Sequence, residues 1–546
     1  MTRFIEKIRP EAADGYGRLF LDFAADPRGG LPPFLGGVCG DRRLWSAAAA
    51  RSDRTRAAGD PGAWRAVVDE LVSLGERLGT RTDVLDKVRS AARGDTLFVV
   101  TGQQPGVFGG PLLTAYKVFT AVALARKLEG ITSRAVVPLY WCGSDDTDFA
   151  EIRSFSLFTR DSTLISAAIP QQAHAAGRPT GGIDAEWLSG MWENLKNFFA
   201  EFDSGSFAAG LVGDAFGRAR DHGEHASAVL IGLAGGELAV IDGRSPAVKR
   251  HARGIIARYI AEEDAIKRDV IEEGKRLVSA GYHAQLTVGE DSGIFLLENG
   301  VRKNVTPELR SALAEAAENA VERCSPGVIA RNLAQDGVFA PVAVVLGPAE
   351  IAYRCQMKAV YERMGVSSPV PVPRLMGTFL PPELAGLVAD ADGAAVESLL
   401  ADPAAFARGV FERSIDGGLL RAARDFEKDI AEAAERFSRS VEGGVPAKAA
   451  ARIKAKLADV RNRAGLSAAS ISEAGKAAAL ERWGFLADLG SMVKPGGRPQ
   501  ERTVSSLVPF LFAGAGMRTE LADAASSYTD DLLDGRTRHI VYSCVK

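Results

Sequence analysis

Three carboxylates crowd into four positions at Asp145, Asp146 and Asp148, directly after the apolar run 136–141. Neighbouring carboxylates resist joint ionisation, so at least one must face solvent, a cation or an amine. Such a cluster can orient an amine or hold Mg²⁺, and a solvated loop or a helix N-cap is the structural alternative. A second polar cluster, Thr101-Gly102-Gln103-Gln104, follows the apolar run 97–100. Glutamine side chains donate and accept without charge, which suits holding an amino-acid or sugar group better than splitting water. A third, Gly347-Pro348-Ala349-Glu350, follows 341–346, the most apolar run of the chain. It sets Glu350 in a helix's first turn, where the macrodipole favours a carboxylate whatever its function.

Other reactive residue types carry less. Cys142 ends the second apolar run, and it reads more plainly as a small core residue than as a nucleophile. The five cysteines (Cys39, Cys142, Cys324, Cys355 and Cys544) are odd in number, widely spread and without a CxxC pair. That argues against a disulfide framework and against zinc. His222 and His225 stand three apart on a predicted helix, but the sequence offers no third ligand, so no metal is expected there.

The elements that must position these clusters alternate between strand and helix. Strands are expected at 97–100, 136–141, 238–242 and 341–346, with a helix at 111–128 that Pro111 opens and Gly130 stops. A long helix is expected at 246–280, stopped by Gly281, then a hairpin of 283–288 with 294–297 around Gly289-Glu290-Asp291-Ser292-Gly293. Helices at 308–321 and from Pro348 to about 364 complete the series. Near-continuous apolar strands between helices mean a buried, mostly parallel sheet in an α/β fold. Parallel strands aim their C-terminal ends at one edge, where loop amides and helix N-termini offer donors and partial positive charge. All three clusters fall at such ends, so the ligand is expected to carry carboxylate, phosphate or carbonyl groups.

Residues 1–94 read as helical, broken by the loop 26–40, and 153–235 read as an insertion with a loop at 171–182 and an aromatic run at 187–202. Beyond Gly377 the chain turns rich in Ala, Glu, Arg and Lys. Leu419, Ala423, Phe426, Ile430, Ala433 and Phe437 step by four and three, as do Ala450, Ile453, Leu457, Val460 and Ala464, with Gly443, Gly444 and Pro446 between. This predicts an antiparallel coiled-coil hairpin whose Ala knobs bury little area, and hence a homodimer. The expected domains are 1–378, a sheet core with the insertion at 153–235; 379–490, helical; and 491–546, returning to the core with a strand at 539–545. With 546 residues, 46% of them hydrophobic, and a net charge of -3, nothing pulls the chain globally toward nucleic acid or an anionic membrane. No signal peptide or apolar run of spanning length is read, which makes the cytoplasm the expected compartment.

Four segments carry a resemblance: 101–117 (TGQQPGVFGGPLLTAYK), 136–152 (VVPLYWCGSDDTDFAEI), 324–365 (CSPGVIARNLAQDGVFAPVAVVLGPAEIAYRCQMKAVYERMG) and 371–374 (PVPR). They resemble the bacillithiol-biosynthesis cysteine-adding enzymes, the BshC family, and 494–509 (KPGGRPQERTVSSLVP) is similar to that family's C-terminal motif. The resemblance implies a Rossmann-like core with inserted connecting segments plus an α-helical coiled-coil domain. It further implies the joining of cysteine's carboxyl group to the glucosamine amine of glucosaminyl-malate. Gln103, Gln104, Asp145, Asp146 and Asp148 then become the catalytic candidates. Substrate or nucleotide falls to Thr101, Gly102, Gly109, Gly110, Lys117, Trp141, Ser144, Thr147, Gly347, Glu350 and Tyr353, with Arg374, Arg498 and Arg502 as clamps for carboxylates or phosphate.

One departure stands out. Where the family reads close to GEDHDF, this chain has Ser144-Asp145-Asp146-Thr147-Asp148-Phe149, so the expected His is Thr147 and the expected Glu is Asp145. Threonine is no general base near neutral pH. Amide formation requires an activated carboxyl group, a deprotonated amine and a stabilised oxyanion. ATP with Mg²⁺ is the cofactor expectation, from fold analogy alone, and no GxxxxGK[ST] loop accompanies it. Two alternatives remain open: another ATP-dependent ligase or nucleotidyltransferase on the same fold, and a coiled-coil scaffold without catalysis.

Overall fold

A computed structural model describes residues 2–13, 15–26, 31, 35, 42–289, 293–389, 395–413, 415 and 417–545. Most of the loop expected at 26–40, with Cys39, and the centre of the 289–293 turn lie outside the described residues. The chain divides into two compact units, one of Met1–Arg160, Leu164–Asp390 and Arg498–Lys546, the other of Asp161–Thr163 and Ala391–Gly497.

The first unit is built on five strands, β1 (Thr96–Gln103), β2 (Ala135–Cys142), β3 (Ala239–Asp242), β4 (Ala343–Leu346) and β5 (Val370–Pro373). Their order is β5-β4-β1-β2-β3 and every pairing is parallel. Residues 97–101 of β1, 136–142 of β2 and all of β4 are buried, as expected where helices cover both faces. Between β1 and β2 runs α1 (Leu112–Thr132), apolar on almost every side because it is buried on almost every side. It continues past Gly130, the expected stop. One interior glycine costs only about 1 kcal/mol against Ala, and the left-handed cap falls instead to Ser133 (φ 54°), whose N–H bonds to the Glu129 carbonyl.

Three further expectations are corrected. The helix expected at 246–280 is three helices, Pro246–His251, Arg253–Ala261 and Glu263–Ser279, broken at Ala252 and Glu262, where no Gly or Pro marks the break. Residues 283–288 form no strand; Ile294–Glu298 turns back through Asn299-Gly300 to pair with Val301–Lys303, and its other edge pairs with Cys324–Pro326. Asn299 and Gly300 both hold positive φ, the turn that matches strand twist. Thr2–Ile8, read as helical from sequence, is a strand antiparallel to His539–Val545, which also pairs in parallel with Met376–Phe379. Helix α2 (Val328–Phe339) leads into β4, and α3 (Pro348–Cys355) leaves it.

In the second unit, α4 (Gly417–Val441) and α5 (Ala447–Arg482) pack along each other across the turn at 442–446. The inner face of α5 follows Ala450, Ile453, Leu457 and Ala464. On α4 the covered residues are Ala423, Ile430, Ala431, Ala434, Ser438 and Val441, whereas Leu419, Phe426 and Phe437 remain 52%, 50% and 54% exposed.

Candidate functional site

Strand order reverses between β1 and β4: from β1 the chain moves toward β2, from β4 toward β5. Loops leaving these neighbours diverge and open a crevice at their C-terminal ends. A cavity of about 320 Å³ lies there, lined by Gly102 to Gln104 at the end of β1, Asp145 and Asp146 after β2, Gly243 after β3 and Gly347 to Glu350 after β4. Lys117, from the second turn of α1, reaches it from below.

Lys117 is buried and fully engaged. Its Nζ donates to the Gly102 carbonyl (2.8 Å) and to Gln103 Oε1 (2.9 Å), and pairs with Glu350 Oε2 at 2.5 Å. Glu350 also accepts the Gly347 N–H at 2.6 Å, closing the first turn of α3. Burial lowers the Lys117 pKa. Burial alone would raise that of Glu350, but Lys117 and the Gly347 N–H hold the carboxylate below its usual range. A Cβ on Gly347 would sit 3.3 Å from Glu350 Oε2 and 3.5 Å from Arg374 Nε, so any side chain there would press on the charged groups. Arg374 pairs through Nη2 with Glu501 (2.5 Å) and donates through Nη1 to the Leu375 carbonyl (2.8 Å). Glu501 also accepts the Gly377 N–H at 3.1 Å and the Tyr16 hydroxyl at 3.3 Å. Burial opposes its charge, and Arg374 overcomes that, keeping the carboxylate ionised.

Opposite these cations lie the acids. Asp145 is 8% exposed, and neither of its carboxylate oxygens has a hydrogen-bond donor; it pairs with Lys249, 3.2 Å away, and Arg302 is near enough to act on it electrostatically. Asp146 accepts from Gln104 Nε2 (2.9 Å), its neighbour's N–H (2.7 Å) and Arg302 (3.2 Å). Gln104 Nε2 also donates to Glu151 Oε2 at 2.8 Å, and Gln103 Nε2 donates to Gln104 Oε1 at 3.1 Å. A continuous chain therefore runs from Lys117 through the two glutamines to Asp146 and Glu151. Burial raises the Glu151 pKa, against the pull of Gln104. Trp141 adds an unpaired, buried indole N–H to the same wall. Two neutral amides thus link the Lys117–Glu350 pair to Glu151 and the Asp146–Arg302 pair, so the wall carries charges of both signs, an arrangement suited to a ligand with an amine and an acid group.

Of the residues singled out from sequence, the cavity brings together Gly102, Gln103, Gln104, Lys117, Trp141, Asp145, Asp146, Gly347, Glu350, Tyr353, Arg374 and Arg502. Others lie off its wall. Thr101 spends its hydroxyl on the Val345 carbonyl inside the sheet. Gly109 and Gly110 (φ 92° and 78°) form the turn into α1. Ser144 donates to Asp242, which is paired with Arg244. Asp148 accepts the Glu151 N–H and caps the short helix Phe149–Ile152, and neither it, Thr147 nor Arg498 lines the cavity. His222 and His225 are buried, with Nε2 atoms against the carbonyls of Pro105 (2.6 Å) and Val212 (3.3 Å). Burial pushes their pKa values down to about 4 and about 3. The Cys142 thiol is pushed well up by burial. Among the described residues no group of three or more His, Cys, Asp or Glu could hold a metal ion.

Sequence reasoning missed Glu151, Lys249, Arg302 and Arg331. Arg302 sits in the strand after the Asn299-Gly300 turn, and Lys249 in the first of three short helices where one long helix is expected. Arg331 lay within the resembling segment 324–365 without a role.

Residues 44–375 match the family described as bacillithiol biosynthesis BshC, N-terminal Rossmann-like domain. Proteins of Koribacter versatilis, Carboxydothermus hydrogenoformans and Solibacter usitatus, each named "Putative cysteine ligase BshC", are 30%, 30% and 31% identical to this chain. The similar spans cover 60%, 55% and 53% of this chain and 63%, 58% and 56% of those proteins. The match thus takes in somewhat less than two thirds of each relative. No described helix is long and apolar enough to cross a membrane.

Proposed function

Because the chain belongs to the bacillithiol-biosynthesis BshC family, matched over residues 44–375, we propose that it is a cysteine ligase, joining L-cysteine through its carboxyl group to the amine of glucosaminyl-malate. The observation that carries this reading is the Asp145 carboxylate, buried and without a hydrogen-bond donor in the wall of a cavity where cations outnumber carboxylates. A buried carboxylate with an ion pair to Lys249 but no hydrogen bond keeps lone pairs that a ligand ammonium or amine N–H would satisfy.

In this reading Asp145 and Asp146 hold the amine of one substrate. Glu151, whose pKa burial raises, stands beside them to take a proton as the amine attacks. Gln103 and Gln104 fix the distance between the amine end and the cationic end. As the carboxyl carbon becomes tetrahedral, its oxyanion develops toward the N-terminal turn of α3, which the Lys117–Glu350 pair holds in place, and the nucleotide-derived activating group leaves as the carbon–nitrogen bond forms. A nucleoside triphosphate with Mg²⁺ would supply the activation of the carboxyl group, and the excess of cations around the cavity fits such a polyanion. The working protein is a homodimer in the cytoplasm, held through the exposed Leu419, Phe426 and Phe437 of α4. Incubation of the purified protein with cysteine, glucosaminyl-malate and ATP, followed by mass analysis, should yield bacillithiol. Absence of that product, with ATP turned over on another acceptor, would replace this reading with that of a different ligase.

A further inference from the structure

Six cations line the cavity, Lys117, Lys249, Arg302, Arg331, Arg374 and Arg502, against four carboxylates. Four of the six have acid partners: Lys117 with Glu350, Lys249 with Asp145, Arg302 with Asp146, and Arg374 with Glu501 behind the wall. Arg502 is exposed, on the side of Glu151. Arg331 is different: it is half-buried, and among the described residues its guanidinium has no ion pair and no hydrogen bond. It lies near enough to Lys117, Glu350, Tyr353 and Arg302 to act on each electrostatically. Glu350, the one carboxylate of these four, is already paired with Lys117, so Arg331 has no ion-pair partner of its own.

Its surroundings are also donors. Arg331 is in the first turns of α2, whose twelve residues begin at Val328 after Gly327, with no side-chain cap. The first intrahelical bond is that of the Arg331 N–H to the Gly327 carbonyl, so the amides of Val328 to Ala330 have no helical acceptor. Pro326, Gly327 and Val328 line the cavity there. Arg302 reaches the Pro326 carbonyl through Nη2 at 3.3 Å, while its Nε, in a side chain only 9% exposed, has no acceptor and lies on the same wall. A second orphaned donor, Arg374 Nε, belongs to a residue 3% exposed on the α3 side.

We propose that Arg331, the N-terminus of α2 and Arg302 Nε form a binding subsite for a substrate oxyanion, a carboxylate or a phosphate. This rests on the ligase reading of the cavity and adds to it the residue that selects the acidic substrate. A planar guanidinium beside a helix N-terminus matches either group by paired hydrogen bonds. The oxyanion belongs either to the acceptor's dicarboxylate or to a nucleotide's phosphates.

Calorimetric titration of the full chain with L-malate and with inorganic pyrophosphate, at fixed ionic strength, separates these sources. Wild type should bind one of them, and Arg331→Met should weaken that binding tenfold or more without lowering the melting temperature, because the side chain has no protein partner to lose. Arg331→Lys should recover part of the affinity, and it carries the test if the Met variant does not fold. Arg276→Met, on an exposed face, should bind as wild type. Failure of wild type to bind either anion, or unchanged binding by Arg331→Met, overturns the subsite. Arg331-dependent binding without bacillithiol formation would instead sink the ligase reading and leave the subsite standing. Bacillithiol formation with unaltered KM values in Arg331→Met would do the reverse.

Discussion

Gln103 and Gln104 are the residues on which the two charged ends of the cavity meet. Gln104→Ala removes the donor shared by Asp146 and Glu151, so turnover should fall about 10²-fold with the melting temperature nearly unchanged. Asp148→Ala should do the opposite: it removes a helix cap, costing about 1 kcal/mol of stability, and leaves turnover within a few-fold. Urea melts and steady-state rates on the same two proteins distinguish these outcomes. Thr147 does not line the cavity, so Thr147→His should change turnover by less than about tenfold, or about 1.4 kcal/mol in the barrier. A hundredfold rise would show that an imidazole at this position takes part in the chemistry. His222 gives a pH prediction. Its pKa falls from 6.5 unfolded to about 4 in the fold, because burial disfavours the imidazolium. The unfolded chain therefore binds the proton first, and stability that is complete above pH 6.5 drains away as pH falls toward 4. Between pH 7 and 5 this one group should cost about 2 kcal/mol. His222→Gln, which retains a donor for the Pro105 carbonyl, should lose about that much less over the same interval.

At the scale of elements, the parallel strands were legible because both faces of each are buried and their residues are apolar without alternation. The same reasoning failed where a short local signal outweighed a long one. Asn299-Gly300 is a two-residue hairpin turn plain in the sequence, yet the flanking segments are too short to show a period. Thr2–Ile8 mixes charges with apolar residues and becomes a strand through a partner more than 500 positions away. On α4 the four-three spacing identified the helix and the inward side of Ala423 and Ile430, but Leu419, Phe426 and Phe437 face out. Those rings make a further prediction. Phe426→Asp should convert a dimer to a monomer in light scattering while the helical circular dichroism stays unchanged, since the substitution falls outside the hairpin's inner face. A wild-type protein that is already monomeric at micromolar concentration would remove the dimer proposal.

At the scale of the whole molecule, the segment that begins at Arg498 joins parts that are far apart in the chain. Glu501 ties Arg374 and Gly377 to Tyr16, and His539–Val545 is the central strand between the first strand of the chain and Met376–Phe379. Glu501→Gln leaves Arg374 buried without its counter-charge, and should cost about 3 kcal/mol or more in urea unfolding. Loss of under 1 kcal/mol would mean that Arg374 finds another anion. The sequence by itself determined the α/β class, the parallel sheet, the three loops at the strand ends and the helical pair near the C-terminus. Each of these depends on local composition and period, which a linear chain displays. Only the tertiary structure decided which charges stand alone. Glu350 and Glu501 cancel Lys117 and Arg374, Asp148 turns into a cap, and Arg331 is left uncompensated in the cavity. Charge pairing in a buried site is set by distance in space, between residues as far apart in the chain as Lys117 and Glu350, and no spacing along the chain encodes it.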